Sequence, residues 1–122
     1  MKAKDFPPLK RTLNQFIKAK TDFYGYFLEE TLSGAVEIKA DTDSIHIQSL
    51  VVDPDYFRRG IASLLMQFIL TKYKDNHLTV ETGLANKPAI TLYEKNGFKQ
   101  TKQFNTSHGI RKIRLEKSID NS

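Results

Sequence analysis

The stretch VVDPDYFRRGIA, residues 51–62, joins an apolar run to a helical pattern and is the most informative part of the chain for its fold. Apolar residues follow Gly60 at i, i+3, i+4, i+7 and i+8, the spacing of one face of an α-helix. These residues are Ile61, Leu64, Leu65, Phe68 and Ile69. The spacing predicts a helix from Gly60 to about Lys72, preceded by a strand that ends at Val52.

The connection between this strand and this helix has the composition of an anion site. The first N–H groups of a helix have no partner within it, and the helix dipole is positive there, so a phosphate can accept several hydrogen bonds at once. Gly60 has no Cβ that would keep phosphate oxygens from the backbone. An ordinary connection with solvated arginines explains the same residues equally well, because short glycine motifs are weak signals.

The strand before this connection changes its pattern along its length. Ile45 and Ile47 share one face, whereas Leu50 and Val52 are apolar on the opposite parity. Since side chains alternate between the faces of a strand, two interpretations stay open. Either the end of the strand is buried on both faces, or a β-bulge lies near residues 48–49.

The rest of the chain predicts an α/β domain with a mixed sheet, in the order α-β-β-β-α-β-α-β-β. The first helix is predicted from the apolar spacing of Leu9, Leu13, Phe16 and Ile17, and a later helix begins at Pro88 and stops at Asn96 and Gly97. Strands are predicted at residues 22–30, 35–39, 45–52, 78–81, 98–104 and 110–116, with turns at residues 31–34 and 41–44.

Composition narrows the class of protein. The chain has 122 residues, of which 39% are hydrophobic, so we expect a single domain over residues 1–122. No apolar run approaches the roughly 20 residues of a membrane span, and we expect a cytoplasmic protein with no membrane partner. The absence of cysteine excludes disulfides, thiolate zinc sites and a cysteine nucleophile. His46, His77 and His108 stand far apart, so no metal site is predicted.

Residues 51–62 are similar to the cofactor motif of the GNAT acetyltransferases, commonly V-x-P-x-[Y]-[QR]-x-x-G-x-[GA]. The resemblance implies that the loop amides hold the pyrophosphate of coenzyme A, with its positions taken by Arg58, Arg59, Gly60, Ile61 and Ala62. Phe57 departs from the pattern, because the family usually has Gln or Arg there. In the family a bulge splays the preceding strand from its parallel neighbour. By that resemblance, the backbone of Leu50, Val51 and Val52 would pair with the pantetheine arm, and one N–H would face the thioester oxygen.

A second stretch, NKPAITLYEKNGF at residues 86–98, resembles the family signature N-x-x-A-x-x-L-Y-x-x-x-G-F at every fixed position. The two motifs imply a GNAT-like, mostly antiparallel sheet with a splayed parallel pair and flanking helices. They imply an N-acetyltransferase that uses acetyl-CoA as cosubstrate and transfers the acetyl group to a primary amine by direct attack in a ternary complex. Only one predicted helix precedes the first hairpin, so the first strand of the family is expected to be missing, and a homodimer could complete the acceptor site.

Amine acetylation needs a base for the amine and an acid for the departing thiolate. By resemblance Tyr93 matches the acid of many family members, although a buried core tyrosine is the alternative. Glu81 is placed like the base of ribosomal-protein alanine acetyltransferases, and His46 lies near the glutamate of histone-type enzymes. Either could be an ordinary strand residue. Asn86 is expected to contact the pantetheine arm or a catalytic water, or else to cap a helix.

Two other functions compete with this one. A regulatory module that binds acetyl-CoA without turnover is suggested by Phe57 and the short N-terminal region. A nucleic-acid-binding domain would use a basic face, since the formal net charge is +5. Its residues would be Lys10, Arg11, Lys18, Lys20, Arg111, Lys112, Arg114 and Lys117, but no recognised motif makes nucleic acid an expected partner. The acceptor stays open among polyamines, peptide N-termini, lysine side chains and antibiotic amines.

Overall fold

The structure is a computed structural model and describes residues 21–119. Its strands are β1 (Thr21–Leu28), β2 (Thr31–Ala40), β3 (Ser44–Val52), β4 (His77–Gly83), β5 (Lys99–Asn105) and β6 (Arg111–Lys117). Its helices are α1 (Ile61–Lys72), α2 (Lys87–Lys95) and a 3₁₀ turn at Pro54–Tyr56. The predicted helix around Leu9 to Ile17 lies outside the described residues. No helix within residues 21–119 is long and apolar enough to cross a membrane.

The strands form one sheet in the order β1-β2-β3-β4-β6-β5, and β3 and β4 are its parallel pair. The ladder between these two strands runs only from Ser44 opposite His77 to Ile47 opposite Val80. Both strands continue beyond that point, so they separate and leave a gap. The predicted mixed, mostly antiparallel sheet with a splayed parallel pair is confirmed.

A bulge in β3 lies where the two strands separate. On its β2 side, Ile47 pairs with Ile38, whereas Ser49 pairs with Glu37, which leaves Gln48 as the extra residue. Of the two interpretations of the pattern change, the predicted bulge near residues 48–49 is therefore confirmed. Because one extra residue reverses the facing of everything after it, Leu50 and Val52 return to the apolar side of the sheet.

The two faces of the sheet differ in chemistry. One face packs against α1 and α2 in a continuous apolar core that includes Ile47, Val80, Leu115, Ile61 and Tyr93. The opposite face, here called the polar face, carries the alternate residues of the same strands. The polar and charged side chains among them include Glu37, His46, Thr79, Glu81, Arg114 and Glu116.

The prediction of a turn at residues 31–34 was wrong. The chain turns at Glu29 and Glu30, whose φ values are 49° and 68°, and β2 already begins at Thr31. Two consecutive positive φ angles define a tight hairpin turn that usually carries Gly or Asn, so the glutamates gave no signal. Gly34 instead lies within β2, where a Cβ would come 2.7 Å from Ile61 Cγ2. Its small size makes room for α1.

Candidate active site

A cleft of about 1030 Å³ opens where β3 leaves β4. Leu50, Val51 and Val52 line it at the end of β3, and Pro88 lines it from α2. The remaining lining residues come from the β3–α1 loop and the first turn of α1. Among them are the predicted loop residues Arg58, Gly60, Ile61 and Ala62, together with Ser63, which the sequence did not single out.

One end of the cleft has the properties of an anion site. Gly60 caps α1 with φ at 75° and supplies no side-chain hydrogen bond to the helix. The first N–H that bonds back into the helix is that of Leu64, which donates to the carbonyl oxygen of Gly60 over 2.9 Å. The amides of Ile61, Ala62 and Ser63 therefore lie ahead of the hydrogen-bonded part of the helix, at its positive end. An anionic group such as a pyrophosphate fits this end.

Asp53 holds the loop in this conformation. Its side chain is fully buried, and its Oδ1 accepts the N–H of Asp55 over 2.9 Å. Its own N–H donates to the carbonyl oxygen of Ser33 on β2 over 2.8 Å, which ties the loop to the sheet. Sequence reasoning missed this residue. The signal was present, because Asp followed by Pro is a common start for a short helical turn.

Two loop side chains beside the cleft behave differently. Arg59 is not a lining residue, and its guanidinium carbon lies 5.3 Å from the centre of the Tyr56 ring. Phe57 lines the cleft and remains 58% exposed. An aromatic ring this exposed is available to a ligand but contributes little to the core.

Asn86 caps α2. Its Oδ1 accepts the N–H of Ala89 over 3.3 Å, and its Nδ2 donates to Thr82 Oγ1 over 3.4 Å. These contacts correspond to the helix-capping alternative given above. Asn86 is not a lining residue of the cleft, whereas its helix neighbour Pro88 is.

Tyr93, on α2, lies in the apolar core. It is 5% exposed, and its ring packs against Phe98 with the ring centres 5.6 Å apart. Burial raises the pKa of its hydroxyl to about 12, because the phenolate would lose its hydration. The hydroxyl therefore carries its proton at neutral pH. None of the hydrogen bonds among residues 21–119 involves it, and the cleft lining does not include it.

On the polar face, Glu81 belongs to a chain of charged groups. Its Oε2 accepts a hydrogen bond from Arg114 Nη1 over 2.9 Å, and Arg114 Nε donates to Glu116 Oε2 over 3.1 Å. Glu116 Oε1 also lies 2.7 Å from His77 Nε2. Glu81 is thus placed beside the gap between β3 and β4, with one carboxylate oxygen already engaged. Sequence reasoning had not linked it to Arg114.

His46 lies on the polar face one residue before the last parallel pair. Its Nδ1 lies 2.7 Å from Thr79 Oγ1, and the ring is partly exposed. Burial lowers the pKa of His46, and the nearby Glu81 carboxylate opposes that effect. A ring with a lowered pKa is largely neutral at pH 7 and can accept a proton.

Comparisons with known proteins agree with this geometry. Residues 4–119 match the family model described as an acetyltransferase (GNAT) domain. The chain is 30% identical to the UPF0157 protein YqkA of Bacillus subtilis over 105 residues, which are 85% of this chain and 31% of that protein. It is 36% identical to an N-alpha-acetyltransferase of Saccharolobus solfataricus over 61 residues, or 47% of this chain and 36% of that protein. The chain thus spans about a third of the length of these curated relatives.

Solved structures share the fold. The ribosomal-protein-S18-alanine N-acetyltransferase of Escherichia coli superposes with a TM-score of 0.79 at 20% identity, covering 99% of this chain and 83% of that one. A GNAT family acetyltransferase of Elizabethkingia anophelis with acetyl-CoA bound gives a TM-score of 0.77 at 18% identity, covering 95% and 85%. At these identities the likeness concerns the fold alone.

Proposed function

Because this chain belongs to the GNAT family of acetyltransferases, we propose that it transfers an acetyl group from acetyl-CoA to a primary amine by direct attack in a ternary complex. The cleft is the observation that carries the proposal. It connects the end of β3, which no longer pairs with β4, to the start of α1, where the amides of Ile61, Ala62 and Ser63 precede the first hydrogen bond of the helix. Such a site suits a long ligand with an anionic centre and an amide-bearing arm.

The residues that would hold acetyl-CoA follow from this arrangement. The amides of Ile61, Ala62 and Ser63, with the Arg58 side chain, would bind the pyrophosphate. The backbone of β3 from Leu50 to Val52 pairs with β2 on one side but not with β4 on the other. Its free edge can form strand-like hydrogen bonds with the pantetheine amides. When bound, acetyl-CoA supplies the activated acetyl group.

Tyr93 would donate a proton to the departing thiolate, and a residue of the polar face would remove a proton from the amine. We assign the acid to Tyr93, because it occupies the tyrosine position of the second motif and its hydroxyl carries a proton at neutral pH. An alkylamine with a pKa of about 10.4 is mostly protonated at pH 7, so a base must first free its lone pair. Glu81 and His46 are the candidates, both beside the place where β3 and β4 separate. Asn86 holds the start of α2 and so places Pro88 in the cleft wall.

Release of free CoA tests the proposal directly. Acetyl-CoA is offered with a panel of amines and the thiol is followed with a reagent, to which this cysteine-free protein is inert. Amine-dependent release is expected, reduced about 100-fold in Tyr93→Phe if the hydroxyl is the acid. Tyr73→Phe is the matched control, because it removes a hydroxyl at the C-terminal end of α1, whereas the cleft lies at the N-terminal end of that helix. Equal rates for both variants would remove Tyr93 from the mechanism.

The same assay separates the alternatives. Comparison of Glu81→Gln with His46→Gln identifies the base as the residue whose loss lowers the rate more. Tight binding of acetyl-CoA without release for any amine would instead favour the regulatory module. The nucleic-acid alternative is weakened by Arg114, whose charge is already engaged by Glu81 and Glu116.

A further inference from the structure

Thr79 contacts His46 on the polar face and is not among the residues that line the cleft. The two residues are directly opposite each other in the parallel ladder, and Thr79 Oγ1 lies 2.7 Å from His46 Nδ1. Thr79 is 2% exposed, so the packing around it fixes the position of its hydroxyl. Among residues 21–119, no hydrogen bond reaches the other ring nitrogen of His46, Nε2.

A neutral histidine carries one ring proton, and its tautomer decides which nitrogen can accept another. We propose that Thr79 is a positioning residue that accepts a hydrogen bond from Nδ1–H of His46 and so keeps Nε2 free to take the proton of the acceptor amine. This proposal rests on the proposed function, since it concerns the proton that acetylation must remove. It makes His46 the base and assigns Thr79 a role that acts only through the ring.

Burial, rather than the charges around His46, favours the neutral ring that this role requires. Glu81 on β4 and Asp41 in the β2–β3 turn favour the protonated ring, whereas Arg114 on β6 and Lys39 on β2 oppose it. Two positive and two negative groups largely offset one another, so burial decides the outcome. Glu81 is the poorer candidate for the base, because its Oε2 is engaged by Arg114 at 2.9 Å.

The proton transfer balances without any further reactant. One N–H bond of the alkylammonium breaks, its electron pair remains on the amine nitrogen, and an Nε2–H bond forms on His46. The ring becomes an imidazolium, in which both nitrogens are donors. Nδ1–H therefore donates to Thr79 Oγ1 before and after the transfer, and the threonine need not rotate. The proton then returns to water from the partly exposed ring.

Nitrogen NMR of the protein with ¹⁵N-labelled histidine reads the tautomer directly. His46→Gln assigns the His46 signals, and Thr79→Val and Thr79→Ser are then compared with wild type. We expect the Nδ1–H tautomer in wild type and in Thr79→Ser, and a mixture in Thr79→Val, whose side chain has a similar shape but no hydroxyl. An Nε2–H tautomer in the wild type, or one unchanged in Thr79→Val, overturns the proposal.

Kinetics provide the second test. In Thr79→Val, kcat/KM for the amine should fall at least about tenfold, which is part of the roughly 10²–10⁴-fold that a general base contributes, and Thr79→Ser should restore most of it. The KM for acetyl-CoA should not change, because Thr79 does not line the cleft. Failure of the serine variant to restore the rate counts against positioning. If no amine is acetylated, the proposed function fails, whereas the NMR result still decides whether Thr79 sets the tautomer.

Discussion

The cleft and the polar face lie on the same strand, yet they depend on different parts of the chain. The cleft begins after the bulge at Gln48 and offers mainly backbone groups, namely a free strand edge and the amides at the start of α1. The polar face begins before the bulge and offers side chains, each fixed by a specific partner such as Thr79 for His46. The bulge therefore separates two regions. The cleft depends on main-chain conformation, and the polar face depends on the functional groups of its side chains.

This difference predicts how each region responds to substitution. Because the cleft depends on backbone conformation, residues that shape the backbone should matter there more than residues that present a polar group. Gly34 and Gly60 are such residues, one by its size and the other by its φ of 75°. On the polar face the reverse is expected, and removal of a single hydroxyl or charge should change the chemistry without changing the fold.

The largest effect is expected from Gly34→Ala, which disturbs the packing of β2 against the start of α1, next to the cleft. The added Cβ would lie 2.7 Å from Ile61 Cγ2 and 3.3 Å from the carbonyl oxygen of Val51. Overpacking of this kind costs about 1–3 kcal/mol, and it would displace the start of α1. Chemical denaturation should show the loss of stability, and acetyl-CoA binding should weaken with it. Gly83→Ala is the control, because its Cβ would meet nothing within 4 Å. Equal stability of the two variants would contradict the prediction.

The next effect tests the anion end of the cleft. Ser63→Glu places a carboxylate in the first turn of α1, where the helix dipole stabilises it by up to about 1 kcal/mol. The same charge repels a pyrophosphate, so the Kd of acetyl-CoA should rise about tenfold, or about 1.4 kcal/mol, while thermal stability does not fall. Ser63→Gln is the uncharged control. If both variants bind equally well, the amides of this turn do not hold the anion. The difference should shrink at high salt.

A smaller effect concerns the charge of His46. On the proposal that neutral His46 is the base, kcat/KM should fall as the pH drops through the pKa of His46. Asp41 raises that pKa and Lys39 lowers it. Asp41→Asn should therefore move the acid limb to lower pH, and Lys39→Gln should move it to higher pH. Each shift should be less than about half a unit, because both side chains are exposed and screened. Shifts in the same direction would exclude His46 as the titrating group.

Much of the cleft could be predicted from sequence because its signals are local. Residues 51–62 contain the strand end, the glycine and the helix start within one short stretch. The bulge was indicated by the apolar residues of β3, which change from odd to even positions along the strand. The hairpin turn was missed because Glu29 and Glu30 adopt positive φ without Gly or Asn. Gly34 was mistaken for a turn residue because its packing against Ile61 is a contact between distant parts of the chain.

The polar face could be predicted only in part. Glu81 and His46 were selected from a resemblance, but their partners depend on strand register. Arg114 lies opposite Glu81, and Thr79 lies opposite His46, across sequence separations of 33 residues in each pair. A single sequence does not fix such a register. These partners determine which candidate base has an atom available to accept a proton. The choice between Glu81 and His46 therefore depends on the folded structure.

The smallest effect is expected where the loop departs from the family pattern. Phe57→Gln restores a polar side chain beside the cleft, but the backbone amides that would bind the pyrophosphate stay the same. Because the ring is already 58% exposed, stability should change little, and the Kd of acetyl-CoA should tighten by no more than about twofold. Phe27→Gln is the matched control, since that ring is 60% exposed and does not line the cleft. Calorimetric titration of both variants measures the difference. Binding weakened tenfold by Phe57→Gln alone would mean that the ring covers the ligand, and the cleft would then depend on a side chain as the polar face does.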